Sequence, residues 1–148
     1  MKAEAKKILN AIQEDFPLVE RPYLELSKKL KISEKKVLAG IKKMMEDGTI
    51  RRFGVLVNHK HLHYFSTLLG VRVSDEMLPQ IAKFVAKRSE VTHCYHRGGD
   101  FNLWFTFLTP RKAVFDKFFA QVEKKVGKDN ILNLPTIKSF KLKTTFKV

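Results

Sequence analysis

The residues best placed to do chemistry lie in two neighbouring predicted strands, where every second side chain shares a face. In the first strand His93, Tyr95 and Arg97 point one way, whereas Cys94 and His96 point the other. An imidazole, a phenol and a guanidinium on one face can donate protons and hydrogen bonds to an anionic ligand. We therefore expect a binding or catalytic face here. A histidine that is hydrogen-bonded across a dimer interface is the alternative interpretation of His93.

The second strand is predicted to supply the rest of that face. Leu103, Phe105 and Phe107 alternate as core residues, which leaves Asn102 and Trp104 on the opposite side with His93 and its companions. An indole beside cationic and hydrogen-bonding groups suits a flat, negatively charged ligand.

Arg51 and Arg52 form a second candidate site. Adjacent guanidinium groups can each bind a carboxylate or a phosphate through paired hydrogen bonds. A wing that contacts DNA would use the same two residues. The pair therefore indicates an anion site without deciding which anion it binds.

Two further features are predicted to have no chemical role. Cys94 is expected to be a small apolar residue, because a reactive thiol needs an exposed, electropositive setting. His59, His61 and His63 alternate as metal ligands can, but they lack acidic or Cys companions and are expected to form a solvated linker. We assign no metal site.

The elements that must position these residues fall into two groups, and the first is predicted to be a winged helix-turn-helix domain over residues 1–60. Apolar residues at helical spacing predict three helices, at 3–15, 23–30 and 34–47. Ser33 is expected to cap the third helix. The inward residues of that helix are expected to be Val37, Leu38, Ile41, Met44 and Met45. The β-branched and aromatic residues of 49–58 predict the wing.

The second group, residues 61–148, is predicted to be a ferredoxin-like domain in which strands and helices follow the order βαββαβ. The expected ranges are 66–73, 75–88, 91–97, 102–108, 110–126 and 137–148. Thr109 and Pro110 mark the start of the second helix as its N-cap and first residue. The last strand is predicted from its alternation of Phe140, Leu142, Phe146 and Val148 with Ser139, Lys141, Lys143 and Lys147. This α+β fold leaves one face of the sheet open to a ligand or partner.

The composition favours a soluble, cytoplasmic protein with an anionic partner. The 148 residues contain 29 Lys+Arg and 15 Asp+Glu, which gives a formal net charge of +14. No apolar run approaches the roughly 20 residues of a membrane span, so no membrane association is expected. The single cysteine excludes a disulfide framework within the chain and favours a reducing compartment.

DNA is one such anionic partner, and a DNA-binding regulator is the alternative function. The predicted third helix carries Lys35, Lys36, Lys42 and Lys43, which suit phosphate contacts. The outward positions of that helix hold no Arg, Asn or Gln that could read base edges. The sequence therefore favours a different anion, although DNA binding stays open.

A winged helix followed by βαββαβ resembles the leucine-responsive (feast/famine) transcription regulators over nearly the whole chain. Within that superfamily, five segments together resemble the siroheme decarboxylases. They are residues 15–23 (Asp-Phe-Pro-Leu-Val-Glu-Arg-Pro-Tyr), 50–54 (Ile-Arg-Arg-Phe-Gly), 66–68 (Ser-Thr-Leu), 92–97 (Thr-His-Cys-Tyr-His-Arg) and 102–106 (Asn-Leu-Trp-Phe-Thr).

The resemblance implies an enzyme of the alternative route to heme or of the route to heme d1. Such an enzyme removes CO2 from the C12 and C18 acetate side chains of siroheme and gives 12,18-didecarboxysiroheme. It needs no separate cofactor, and the iron is carried by the siroheme substrate. The family commonly works as two homologous subunits, so the resemblance implies either a paralogous partner or a second copy of the chain, without deciding between them.

The resemblance also implies roles for the candidate residues. His93 is expected to donate a proton or to face the substrate iron, and Tyr95 is expected to orient it. Trp104 is expected to stack on the macrocycle or to form a wall of its binding site. Asn102 is expected to donate a hydrogen bond to a carboxylate. The expected anchors for the retained carboxylates are Arg51, Arg52 and Arg97.

The chain departs from the family pattern at two histidines. It reads Leu62-His63-Tyr64 where Leu-Gly-Tyr is usual, and His96 occupies a position that varies in the family. His63 and His96 are therefore not assigned to the site.

Overall fold

The computed structural model describes residues 2–55, 57–59, 61–141 and 145–148. The chain forms two compact units. One comprises Met1–Leu56 together with Lys141–Val148, and the other comprises Val57–Phe140. The boundary near residue 56 is close to the division drawn from the sequence, but residues 141–148 group with the first unit and not with the second.

The first unit contains the three predicted helices. They are α1 (Ala3–Glu14), α2 (Pro22–Leu30) and α3 (Glu34–Glu46). Their buried core consists of Ile8, Leu26, Ile32, Val37, Ile41, Met44 and Ile50. Pro22 begins α2, where its missing N–H costs nothing, and Lys31 ends it in a left-handed conformation with φ 54°. The predicted helix-turn-helix is confirmed.

Two details of α3 differ from the prediction. Leu38 and Met45 are 44% and 49% exposed, because each follows a buried neighbour by about 100° around the helix and so leaves the core face. Ser33 occupies the N-cap position, but its side chain makes no capping hydrogen bond. The α3 helix is therefore held by packing of its buried face.

The predicted wing is not formed by strands among the described residues of 49–58, which exclude Leu56. Ile50 is buried against the three helices, and the Phe53 ring packs on Phe16 with the ring centroids 5.1 Å apart. Two of the apolar residues that suggested strand pairing, Ile50 and Phe53, thus close the helical core, whereas Val55 and Val57 are exposed.

The second unit contains a four-stranded antiparallel sheet with two helices. Its elements are β1 (Phe65–Val71), α4 (Leu78–Ala86), β2 (Val91–His96), β3 (Leu103–Thr109), α5 (Lys112–Val126) and β4 (Ile131–Pro135), with a short 3-10 turn at Lys128–Asn130. The strand order is β2-β3-β1-β4. The predicted α+β architecture, a helix-turn-helix followed by βαββαβ, is confirmed.

The hydrophobic core of this unit lies on one face of the sheet only. Phe105 and Phe107 of β3 pack on Phe118 of α5, with ring centroids 6.1 and 4.8 Å apart. On the other face, Leu68 and Leu134 are 39% and 44% exposed. The side of the sheet away from the helices is thus open in this chain.

The last strand was predicted in the wrong place. β4 is Ile131–Pro135, and Ile131 is buried and paired with Val71. Within the described residues of 137–148, which exclude 142–144, no strand forms, and Ile137 is fully exposed. The alternation of residues 137–148 therefore does not reflect sheet pairing, while its positions Leu142 and Lys143 lie outside the described residues.

The described end of that segment lies along α1 in the first unit. The Gln13 side-chain amide donates to the Phe146 carbonyl at 3.0 Å and accepts from the Phe146 N–H at 3.0 Å. Asn10 does the same for Val148, at 3.1 and 3.2 Å. Two side-chain amides one helical turn apart thus take the place of a neighbouring strand.

The start of α5 also differs from the prediction. Thr109 ends β3, and Arg111 occupies the N-cap position of α5. The Thr109 hydroxyl accepts a hydrogen bond from the Arg111 N–H at 3.3 Å. The threonine therefore closes the turn that leads into the helix and does not cap the helix itself.

Candidate functional site

A groove of about 570 Å³ lies on the open face of the sheet. It is built by cross-strand pairs, because side chains of directly paired residues share a face. His93 pairs with Thr106, and Tyr95 pairs with Trp104, which in turn pairs with Gly70 of β1. The groove is lined by Leu68, His93, Tyr95, Arg97, Gly98, Gly99, Asp100, Phe101, Trp104, Phe105 and Thr106.

The edge strand β2 supplies a polar row along the groove. The rings of His93 and Tyr95 are 6.1 Å apart and inclined by 28°, and the Arg97 guanidinium carbon lies 5.7 Å from the centre of the Tyr95 ring. His93 Nδ1 lies 3.0 Å from the Thr92 hydroxyl oxygen. The structure thus places an imidazole, a phenol and a guanidinium side by side, as the alternation predicts.

A β-bulge explains how this row coexists with a packed core. The register shifts between Val91, which pairs with Phe107, and His93, which pairs with Thr106. The extra residue Thr92 lets Val91 pack against the core while His93 faces the groove. Without the bulge, Val91 and His93 would share a face.

Trp104 lies flat against the sheet. Its Nε1–H donates to the Phe101 carbonyl at 2.6 Å. Its six-membered ring passes directly over Gly70, so closely that a Cβ built on Gly70 would lie 2.9 Å from ring atoms Cη2 and Cζ3. The indole therefore forms part of the floor of the groove.

Asn102 lies beside the groove but is engaged with the backbone. Its amide Nδ2–H donates to the Val73 carbonyl at 2.8 Å, and its Oδ1 accepts from the Val73 N–H at 3.1 Å. This pair of bonds joins the end of β1 to the start of β3. The side chain thus has a structural engagement that the sequence does not reveal.

We predict that Asn102→Ala lowers the free energy of unfolding by about 2 kcal/mol, because two hydrogen bonds to a half-buried backbone position are lost. Urea denaturation of the purified protein measures this change. Asp100→Ala, in the same turn but outside this pair of bonds, is the matched control and should change stability little. Unchanged stability of Asn102→Ala together with lost ligand binding would contradict the structural role.

Cys94 and His96 point away from the groove, as expected. Cys94 pairs with Phe105 and packs against the hydrophobic core, whereas His96 pairs with Leu103 and is exposed at the sheet edge. Burial raises the pKa of the Cys94 thiol above its ordinary value. The thiol therefore stays protonated at neutral pH, in agreement with a small apolar role.

We predict that Cys94 in the folded protein reacts with iodoacetamide several-fold more slowly than in urea at pH 8. The reason is that a raised pKa lowers the thiolate fraction, and the thiolate is the nucleophile. Because the thiolate fraction grows as pH rises towards the pKa, the folded rate should keep climbing above pH 8.5. Equal rates in the folded and unfolded protein would contradict this assignment.

The other sequence candidates are not among the residues that line this groove. Arg51 and Arg52 are exposed residues of the first unit. Within the described part of the chain, no three His, Cys, Asp or Glu side chains are close enough together to hold a metal ion. His59, His61 and His63 thus form no such group.

Leu68, Gly70, Arg72 and Phe101 were not assigned to the site from the sequence. Gly70 and Leu68 belong to β1, and Phe101 supplies the carbonyl that accepts a hydrogen bond from Trp104. Arg72 places its guanidinium carbon 4.9 Å from the centre of the Phe101 ring. One signal was available, because a glycine in the middle of a strand often marks a close approach.

A membrane-spanning element is absent from the described residues, since no helix there is both long enough and apolar enough to cross a bilayer.

Family models match both units of the chain. Residues 5–51 match the siroheme decarboxylase NirDL-like HTH domain, and residues 62–141 match the AsnC-like ligand binding domain. The second match alone covers more than half of the chain.

Known relatives are similar along nearly the whole chain. The siroheme decarboxylase of Hydrogenobacter thermophilus is 36% identical over 94% of this chain, which spans 42% of that relative's length. The siroheme decarboxylase alpha subunit of Desulfovibrio desulfuricans is 32% identical over 97% of this chain, which spans 82% of that subunit.

A solved structure shows the same likeness in three dimensions. The crystal structure of the siroheme decarboxylase NirDL in co-complex with an iron-uroporphyrin III analogue matches with a TM-score of 0.73 and 32% identity. The match covers 97% of this chain and 47% of that one. The chain thus spans less than half of this protein and of the Hydrogenobacter relative, but most of the Desulfovibrio subunit.

Proposed function

The chain belongs to the siroheme decarboxylase family, a family of carboxy-lyases, and from that premise we propose that the groove on its open sheet face binds siroheme for decarboxylation. The products are CO2 from the C12 and C18 acetates and 12,18-didecarboxysiroheme. The reaction serves the formation of heme or heme d1.

The observation that carries this proposal is the pairing of a flat aromatic floor with a cationic, hydrogen-bonding row. Siroheme is a planar macrocycle with carboxylates around its rim. Trp104 lies flat in the groove, and His93, Tyr95 and Arg97 stand along one side of it. The floor suits the macrocycle plane, and the row suits its rim.

The chemistry requires one proton for each CO2 released. The bond between the acetate methylene carbon and its carboxylate carbon breaks, and the electron pair stays on the methylene carbon, where the conjugated macrocycle delocalises it. A proton then adds to that carbon and gives a methyl group. The protein must therefore hold the reacting acetate near a proton donor.

We assign the proton donor to His93 and its orientation to Tyr95. The imidazole is exposed in the groove, with Nδ1 beside the Thr92 hydroxyl. Its remaining nitrogen, Nε2, suits either proton delivery or an approach to the substrate iron. The Tyr95 ring lies beside the imidazole, with the ring centroids 6.1 Å apart, and is the proposed orienting group.

Arg97 is the proposed anchor for a retained carboxylate. Its guanidinium rests over the Tyr95 ring, and none of the salt bridges between described residues involves it. The fork of N–H donors is therefore available to a ligand. The anchoring roles of Arg51 and Arg52 stay predictions, and the amide of Asn102 is better explained by its bonds to Val73.

No separate cofactor enters the proposal, because the iron comes with the substrate. A related protein of known structure holds an iron-uroporphyrin III analogue, which is a planar, iron-bearing polycarboxylate of the same chemical class. A second subunit does enter it. Relatives carry the name alpha subunit, and we propose that this chain works with a homologous subunit or with a second copy of itself.

DNA binding has less support. Of the four lysines on α3, Lys36 lies 3.3 Å from a Glu4 carboxylate oxygen, and Lys42 lies 3.9 Å from one of Glu46. The exposed face of α3 also carries Leu38 and Met45, which do not contact phosphates. Only part of the positive charge is thus available to a phosphate backbone.

The test is anaerobic incubation of the purified chain with siroheme, followed by mass spectrometry of the pigment. Loss of two CO2 units supports a self-sufficient decarboxylase. Loss of CO2 only after a homologous subunit is added supports the two-subunit form. No change in mass or absorption spectrum under either condition would overturn the proposal and favour the DNA-binding alternative.

A further inference from the structure

We infer that Gly70 is a positioning residue, whose missing side chain lets Trp104 lie flat and form the floor on which the macrocycle plane rests. The inference rests on the proposed function and deepens it. It assigns a role to a β1 residue that has no side chain and therefore acts only through its neighbour.

The glycine is required by its neighbour and not by its own backbone. Gly48, Gly99 and Gly127 have positive φ, whereas Gly70 does not, so its backbone would accept another residue. A Cβ on Gly70 would, however, lie 2.9 Å from Cη2 and Cζ3 of Trp104. Real Cβ atoms essentially never approach other atoms so closely, so any side chain here must displace the indole.

A strand glycine carries a cost that this role explains. Glycine in the interior of a strand lowers stability, because it has no side chain to pack and more backbone entropy to lose. Gly70 lies in the middle of the sheet, paired with Trp104 on one side and Leu132 on the other. The space that its missing side chain leaves is filled by the indole, which buries Gly70.

The other end of the indole is fixed as well. Its Nε1–H donates to the Phe101 carbonyl at 2.6 Å, and the Phe101 ring lies under the Arg72 guanidinium. Two contacts at opposite ends hold the ring before any ligand arrives. A ligand that stacks on it thus loses little of its binding free energy to ordering the site.

The direction of the indole also sets the orientation of the ligand. The ring leans over β1, away from Tyr95 on β2, so its outer face is presented to the groove beside the polar row. A planar macrocycle on this floor lies parallel to the sheet, with one edge towards Arg97 and His93. Gly70 thus acts through Trp104 to favour flat tetrapyrroles.

The test is Gly70→Ala. Trp104 is the single tryptophan of the chain, so its emission spectrum in the ligand-free protein reports the displacement directly. We expect a shifted emission maximum, a dissociation constant for siroheme that rises about tenfold in an anaerobic absorbance titration, and a kcat within about twofold of wild type. A rise in KM with a steady kcat is the signature of lost binding that the substrate and the transition state share.

Two further variants keep the test decisive. Ser66→Thr adds a methyl group to the same face of the same strand, outside the groove, and should change neither the emission nor the binding. Trp104→Phe removes the outer ring of the indole that covers Gly70, so adding Gly70→Ala should weaken binding no further. Such non-additivity is expected of two residues that act as one unit.

The outcomes separate the inference from the proposed function. Unchanged emission in Gly70→Ala, or shifted emission with unchanged siroheme affinity, overturns the inference. Additive losses in the double variant, or equal losses in Ser66→Thr, overturn it as well. If wild type binds no siroheme, the proposed function fails, and the inference fails with it even though the emission spectrum still reports where the indole lies.

Discussion

His93→Ala is expected to slow CO2 release from siroheme by about a hundredfold to ten-thousandfold, the range for a lost general acid. The variant should still bind siroheme within a few-fold of wild type, because Trp104 and Arg97 stay in place. His93 is exposed on an edge strand, so its removal leaves the hydrophobic core intact. Single-turnover decarboxylation under anaerobic conditions measures the effect.

The same strand offers a matched control for this prediction. His96 is also an exposed histidine of β2, but it pairs with Leu103 and faces away from the groove. His96→Ala should therefore decarboxylate siroheme at the wild-type rate. A rate near wild type in His93→Ala would show that the proton comes from another group.

The two roles open to His93 can be told apart spectroscopically. If the imidazole approaches the substrate iron, His93→Ala changes the absorption spectrum of bound siroheme. If it delivers the proton only, the spectrum is unchanged while turnover is lost. Added imidazole should restore part of the rate in the second case, because it can enter the groove from solvent.

Arg97→Ala is expected to weaken siroheme binding by about thirtyfold. A hydrogen bond to a charged group contributes about 2 kcal/mol. The guanidinium lies over the Tyr95 ring, where two of its N–H groups can bind one carboxylate. The absorbance titration described above measures the dissociation constant. Turnover of fully bound substrate should fall much less than in His93→Ala.

Two further substitutions test whether the position of Arg97 controls siroheme binding. Arg97→Lys keeps the charge but loses the fork of donors, and should recover only part of the affinity. Arg111→Ala removes an exposed guanidinium near the start of α5, outside the groove, and should leave binding unchanged. An equal loss in the Arg111 variant would show that net charge, and not the position of Arg97, controls binding.

Most of the fold follows from local patterns in the sequence. The three helices and the first three strands were recognised because apolar periodicity is a property of each segment alone. The last strand was misplaced because residues 137–148 alternate more clearly than Ile131–Pro135. Whether an extended segment pairs with a strand or with amides of α1 depends on tertiary contacts, which alternation does not contain.

The candidate site, like the fold, was predictable from the sequence only in part. Alternation was enough to bring His93, Tyr95 and Arg97 to one face, because it depends only on the geometry of one strand. The engagement of Asn102 with Val73 and the approach of Trp104 to Gly70 join residues far apart in the sequence. These contacts needed the sheet register, which a single sequence does not specify.

The segment held by Asn10 and Gln13 has a consequence for the order of events during synthesis. Asn10 and Val148 are 138 positions apart, and the whole sheet unit lies between them in the chain. The ribosome therefore releases α1 long before its partner segment exists, and the first unit can be completed only after the second has emerged. Until residues 145–148 emerge, the hydrogen bonds of Asn10 to Val148 and of Gln13 to Phe146 cannot form.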